Sequence, residues 1–284
     1  MRKELHETNR IAWNEATKAH NSHKLDQARF FREGGSTLFP DEIELLGDVS
    51  GRALLHLQCN AGQDTLSMAR LGATVTGVDI SDEAIAFARQ LSADSGIPAT
   101  FHRADVYDWL QEQPGAQFDV VFSSYGALVW LSDLRAWARG IAHVLRPDGR
   151  VTLLDFHPML SMLGDDWRIE YPYSTHGQPL TFEEGIGDYV AMSGAALAPS
   201  GYLEGVQNFR NPHASHEFAW AMSDIIMALL DAGLALKTLR EYPYSNGATL
   251  REGMRDIGGN RFVPPADLPE MPLMFGIVAH RELT

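Results

Sequence analysis

The sequence predicts an α/β domain: a seven-stranded, mostly parallel sheet with helices on both faces and one inserted β-rich lid. Three observations carry that reading. From Gly51 an apolar strand, a turn and a helix recur in one rhythm; the rhythm breaks after Pro158 and returns near residue 218; and 284 residues with 45% hydrophobic and 21% charged content suffice for one large core. Taken in order, residues 1–20 read as a helix carrying Leu5, Ile11 and Trp13 among polar neighbours, and residues 20–35 as irregular chain. Pro40 opens a short helix whose Asp41, Glu42 and Glu44 suit the positive end of its dipole. Strands are expected at residues 53–57, 74–78, 99–102, 118–123 and 150–156, with helices near 64–71, 82–95 and 133–145 between them. That alternation implies right-handed crossovers, hence a parallel sheet covered on both faces. Residues 158–217 are rich in Gly, Pro, Tyr and acids, with strand-like pieces at 188–192 and 202–208. A structureless loop of that length is uncommon in a compact domain, so the segment reads as a small lid. An amphipathic helix at 218–232, stopped by Gly233, then strands at 236–241 and 273–281 complete the sheet. The expected organisation is one domain: 1–50 an N-terminal helical cap, 51–157 the core, 158–217 the lid and 218–284 the last helix and strands.

Composition narrows the partners. The formal charge is −14, from 23 Lys and Arg against 37 Asp and Glu, with no clustered run of bases. Such a surplus repels phosphate backbones and anionic headgroups, which argues against nucleic acid and membrane surfaces. The single cysteine, Cys59, leaves no intramolecular disulfide and no thiolate zinc cluster, and it suits a reducing compartment. No apolar signal core follows the first residues, and the longest apolar stretch, 225–230, is far too short to span a bilayer. A soluble cytoplasmic protein is the expectation; nothing in the sequence sets its oligomeric state.

In an open α/β sheet, ligands sit beyond the carboxyl ends of the strands, where the first strand turns into its helix. Here that turn runs Gln58, Cys59, Asn60, Ala61, Gly62, Gln63, Asp64. With Gly62 as its one glycine it is not a GxGxxG loop, and it lacks the lysine of a phosphate loop. The second strand ends in Asp79, an acid at the position that accepts hydrogen bonds from ribose hydroxyls, although a solvated or capping acid would look the same.

The string LLHLQCNAGQDTLSMARLGATVTGVDIS, residues 54–81, resembles motif I and the acidic motif of class I S-adenosylmethionine-dependent methyltransferases, particularly bacterial small-molecule enzymes with an HLQCxxGQDT variant. The resemblance continues through Ala104-Asp105-Val106, residues 118–123 and 145–150, and returns at 231–234 and 241–244. It implies a Rossmann-like sheet whose last strand is antiparallel, S-adenosylmethionine as cofactor, and methyl transfer to an O, N or C atom of a small molecule. It further implies that Gln58, Cys59, Asn60 and Gly62 pass under the methionine part, that Asp79 holds the ribose and Ile80 packs on adenine, that Asp105 and Val106 read the adenine edge, and that Ser123 and Tyr125 line the methyl end. The family pattern has an acid where this chain has His56, and glycines at Gln58 and Asn60; Asp64 or a carbonyl would then hold the cofactor's ammonium.

A sulfonium methyl is already activated, so the protein mainly holds an acceptor in line and excludes water, with a base needed only when the acceptor must lose a proton. His157, just past the fifth strand, and Tyr125 are the catalytic candidates, with strand capping the plainer role for His157. Trp13, His20, Trp130, His213 and His216 are candidates for the substrate side and lid; His213 and His216 find no third ligand, so no metal is expected. Residues 155–217 hold nine acids against two bases, either for solubility or as a field for a cationic or amine-bearing acceptor. Two rivals stay open: a nicotinamide-dependent oxidoreductase, against which the missing loop glycines speak, and a non-catalytic protein that binds the same cofactor.

Overall fold

A computed structural model describes residues 1–282; the last two residues of the expected 218–284 segment lie outside the described residues. The chain opens with α1 (Lys3–Ser22), α2 (Gln27–Arg32) and α3 (Pro40–Leu46), then alternates β1 (Ala53–Leu57), α4 (Gln63–Arg70), β2 (Thr74–Asp79), α5 (Asp82–Ser95), β3 (Thr100–Arg103), α6 (Val106–Glu112), β4 (Phe118–Ser124), α7 (Leu134–Val144) and β5 (Leu145–Phe156). The lid follows with α8 (Pro158–Ser161), β6 (Leu180–Phe182), α9 (Tyr189–Ser193) and β7 (Ser215–Glu217). After it come α10 (Met222–Asp231), β8 (Leu234–Tyr242), β9 (Ser245–Asn246), β10 (Arg255–Asp256), β11 (Arg261–Val263) and β12 (Met274–Arg281).

Seven strands form the central sheet in the order β3-β2-β1-β4-β5-β12-β8. β1 runs parallel to β2 and β4, and β12 antiparallel to both β5 and β8, as the resemblance implies for the last strand. Successive β1 residues serve opposite faces, the period-two consequence of a pleated strand. Leu55 and Leu57 join Trp109, Trp137 and Ile141 beneath α6, α7 and α10, whereas Leu54 joins Leu46, Met68 and Phe122 beneath α3 and α4. Local signals set the helix limits: Ser81 caps α5 through its hydroxyl on the Ala84 N–H, and Gly96, with φ 72°, ends it in the left-handed conformation.

Three expectations are corrected. Residues 20–35 are not irregular throughout, because α2 occupies six of them, and a seven-residue helix, α6, stands between β3 and β4 where none was expected. The lid is not β-rich. Its ladder is one antiparallel pair of three-residue strands; residues Tyr189–Ser193 are helical under an Asp188 cap, and Tyr202 makes a single bridge to Lys24. A second small sheet, in the order β10-β11-β9, joins the lid side from beyond residue 244. Among the described residues no helix is long and apolar enough to cross a membrane.

Candidate functional site

Chain order reverses between β1 and β4, and there a cavity of about 870 Å³ opens beyond the strand tips, roofed by α1 and the lid. Its size is at the upper end of the range of about 300–1,000 Å³ for ligand pockets. The β1 turn forms its floor. Gln58, Asn60 and Gly62 all have positive φ, 54°, 47° and 79°, so the loop adopts left-handed backbone at the positions where the resembled family has glycines. A non-glycine residue in that conformation costs roughly 1–2 kcal/mol, a strain that persists where the surroundings over-determine it. Here they do: the Asn60 side-chain oxygen accepts from the Ala61 N–H at 2.7 Å, the Asn60 N–H donates to Asp79 at 2.8 Å, and Gln58 Nε2 donates to the Ala127 carbonyl at 2.6 Å. Gln58 Oε1 is buried without a hydrogen-bond partner among the described residues. Gly62 does not line the cavity; a Cβ there would lie 2.7 Å from Ala88 Cβ and 2.8 Å from Phe101, so its role is close approach to α5.

Asp79 and Ile80, at the β2 tip, line the cavity, and the Asp79 carboxylate accepts from the Asn60 and Ser81 N–H groups. Burial pushes its carboxyl up, against the pull of those donors. Val106 and Asp105 lie further along the same wall. Asp105 caps α6 through the Tyr107 N–H at 2.9 Å and meets His6 Nδ1 at 2.7 Å, while His6 Nε2 meets Ser132 Oγ at 2.8 Å. Burial alone would raise the Asp105 carboxyl, but the His6 hydrogen bond and the Tyr107 N–H outweigh it and hold it below the usual range. Tyr125 lines the cavity with φ 42° and accepts from Asn246 Nδ2 at 3.1 Å; burial and the nearby Glu42 keep its hydroxyl protonated. Cys59 and Asp64 also line the floor. Burial raises the Asp64 carboxyl while the Thr37 hydroxyl and Lys24 lower it, and Lys24 is itself brought down to about 8 by burial. His56, at the position of the family's acid, bonds Thr65 Oγ1 at 2.8 Å and is driven by burial down to about 3, so it is neutral.

The roof is aromatic. Trp13 meets Trp130 edge-on at 5.4 Å, and His20 lies 4.0 Å from the Tyr189 ring while its Nε2 donates to the Gly187 carbonyl. Burial lowers His20 to about 4.

Besides Gly62, four expected residues do not reach the cavity. Ser123 is fully buried in the sheet; one step along a strand reverses the face, and Ser124 lines the wall instead. His157 caps α8, its Nδ1 accepting from the Met159 N–H at 3.1 Å and its Nε2 donating to Glu241 at 3.0 Å. His216 faces Thr181 across β6 and β7, and neither it nor His213 belongs to the cavity wall. Of the lid acids thought to shape a field, Glu183 and Glu184 are exposed outside the wall and Asp188 is tied to His23 at 2.8 Å; Asp165 and Glu217 line the cavity. Conversely His6, Lys24, Tyr189, Glu217, Asn246 and Arg251 line it unforeseen. For α1 a signal existed: His6, Asn9, Trp13 and His20 recur at helical spacing, a polar and aromatic stripe on one face. Of the others, Tyr189 and Glu217 come from the lid, Lys24 from the α1–α2 connection and Asn246 and Arg251 from the chain after β8, all without periodicity.

Comparison with known proteins bears on the fold and on the central segment of the chain. Residues 54–149 match the family described as methyltransferase domain. The ubiquinone biosynthesis O-methyltransferase of Xanthomonas euvesicatoria is 36% identical over 106 residues, 37% of this chain and 44% of that protein. Its counterpart from Sodalis glossinidius is 31% identical over 140 residues, 47% and 55%. This chain thus spans about half the length of the curated relatives it matches. Among solved structures, the CcbJ methyltransferase of Streptomyces caelestis superposes with a TM-score of 0.61 at 13% identity, covering 97% of this chain and 99% of that one. The chain carries the Rossmann-like class I methyltransferase fold, and residues 54–149 are the part that matches the methyltransferase domain by sequence.

Proposed function

We propose that this protein is an enzyme that transfers a methyl group from S-adenosylmethionine to a small molecule. The observation that carries the reading is the β1 turn: a left-handed loop whose Asn60 is held against Asp79 on the floor of a large cavity, within the segment that matches the methyltransferase domain. The residues fit the cofactor. Asp79 retains lone pairs for ribose hydroxyls, Ile80 and Val106 offer apolar surface to adenine, and Asp105 is held ionised by His6 to accept from its amino group. In place of the family's acid, where this chain has His56, the partnerless Gln58 side-chain oxygen and Asp64 would supply acceptors for the ammonium. The bound cofactor supplies an electrophilic methyl on a sulfonium. The protein's part is to seat it, to exclude water beneath Trp13, Trp130 and Tyr189, and to present the acceptor from the lid side. The O-methyltransferase relatives support a small-molecule acceptor.

Calorimetry tests the cofactor: S-adenosylmethionine and S-adenosylhomocysteine should bind, and Asp79→Ala should weaken both by roughly tenfold or more, the loss of a charge-assisted hydrogen bond of about 1.5–3 kcal/mol. Absence of binding refutes the reading. Isotopically labelled S-adenosylmethionine incubated with a metabolite extract then separates enzyme from cofactor-binding scaffold, since label should appear in a new product identified by mass spectrometry.

A further inference from the structure

Beyond the cofactor half of the cavity stands a carboxylate that no expected role accounts for. Glu217 ends β7, as the last residue of the lid, and it lines the main cavity and a neighbouring one of about 240 Å³. Gly126, Val129 and Phe156 border both cavities with it, which puts Glu217 beside the tips of β4 and β5, where the methyl end is expected. Its carboxylate makes no hydrogen bond and no ion pair among the described residues. Arg251, on the same rim, is near enough to act on it by charge but is engaged elsewhere: its guanidinium donates to the carbonyls of Leu163 at 2.9 Å, Leu250 at 2.6 Å and Leu160 at 3.1 Å. A half-buried acid left without partners in a cavity wall is free to serve a ligand.

Resting on the methyl-transfer reading, we infer that Glu217 is the catalytic base that takes the proton from a protic acceptor, a hydroxyl or amine seated between Glu217 and the β4 tip. The acceptor heteroatom forms its bond to the methyl carbon as the carbon–sulfur bond breaks. That electron pair stays on sulfur as a neutral thioether, and the acceptor's proton moves to a Glu217 oxygen and thence to water at the cavity mouth. The surroundings suit the task. Burial pushes Glu217 up to about 7, with Arg251 pulling the other way, and a base poised near working pH is the efficient one. The elements packed against β7 bring neutral groups: α1 presents Asn9 to the His216 backbone, β6 presents Thr181 to the His216 ring, and the turn at Val129 accepts from the Phe218 N–H. Asp165 stands on the same cavity wall and adds negative charge, which Arg251 faces as well.

Two measurements decide it. Carbon-13 NMR of the glutamate side-chain carboxyls should show one resonance titrating near pH 7 that disappears in Glu217→Gln; if no such resonance exists, the proposal fails whatever the activity. With labelled S-adenosylmethionine and a metabolite extract, Glu217→Gln should bind S-adenosylhomocysteine as the wild type does yet transfer label about 10²-fold more slowly, without the rise in rate between pH 6 and 8, and Glu217→Asp should recover part of the rate and the pH dependence. Undiminished transfer by Glu217→Gln overturns the base and leaves the methyl-transfer reading intact, whereas loss of cofactor binding in the wild type overturns the reading beneath it.

Discussion

At the scale of single residues, the β1 turn separates two demands that a glycine usually meets together. Gly62 combines positive φ with a missing Cβ: Ala there would be strained and would meet Ala88 and Phe101 below 3 Å. Gly62→Ala should cost about 2–5 kcal/mol, from roughly 1–2 kcal/mol of backbone strain and about 1–3 kcal/mol of overpacking, read as a lower urea midpoint. At Asn60 only the φ of 47° is unusual, and asparagine tolerates it through its own hydrogen bond to the Ala61 N–H. Asn60→Gly should therefore change stability by less than about 1 kcal/mol. His157 shows the same discipline at the tip of β5. Its neutral ring accepts from Met159 and meets Glu241. His157→Ala should cost about 1 kcal/mol, the worth of a helix cap, and leave S-adenosylhomocysteine affinity at the wild-type value; a lost affinity would return His157 to the active site.

At the scale of elements, the N-terminal helix and the lid are one latch. His23, at the end of α1, donates from Nε2 to Asp188, the cap of α9, and stacks on Tyr202; the Leu203 N–H donates to the His23 carbonyl, and the Leu25 N–H to that of Gly201. Asp188→Asn keeps the shape and loses the charge-assisted bond, a change of about 1.5–3 kcal/mol. Limited proteolysis should then cut between residues 189 and 215 several-fold faster than in the wild type, with an unchanged digestion pattern from 51 to 157; equal rates would show that the lid is held by its packing alone. The sheet was legible because its strands are apolar runs bounded by turn residues, and α5 because Ser81 and Gly96 mark both ends. α2 and α6 escaped because helices of six and seven residues have too few turns to show a period. In residues Tyr189–Ser193 a short apolar run fits helix and strand alike, and the Asp188 cap decides. Serine 123 was misplaced by one position, enough to reverse the face. Asp79 was legible from its place at the β2 tip, and Asp105 and Tyr125 through the family resemblance, and all three line the cavity, whereas Glu217 and Arg251 reach it from segments whose placement depends on the whole lid.

At the scale of the molecule, the cavity and the packing around it hold buried ionisable groups whose folding contributions oppose each other as the pH changes. Burial keeps His20 and His56 neutral, lowering them to about 4 and about 3. Each takes up a proton when the chain unfolds below the unfolded value of about 6.5, so its stabilising contribution is complete above that pH and is lost as the pH falls toward the folded value. Glu42, Asp64, Asp79 and Asp155 are raised by burial and act in the other sense, because they protonate in the folded chain before they do so in the unfolded one. The whole-protein curve is a sum of both, so a difference isolates one group. Glutamine at position 56 can still meet Thr65 but does not titrate. The stability difference between wild type and His56→Gln should shrink by about 3 kcal/mol between pH 7 and pH 4.5, two units below 6.5 at about 1.4 kcal/mol each, measured by urea unfolding at each pH. A difference independent of pH would mean that His56 titrates in the folded chain as it does in the unfolded one, so that below about 6.5 an imidazolium beneath the β1 turn would have to be counted among the charges that a cationic cofactor meets.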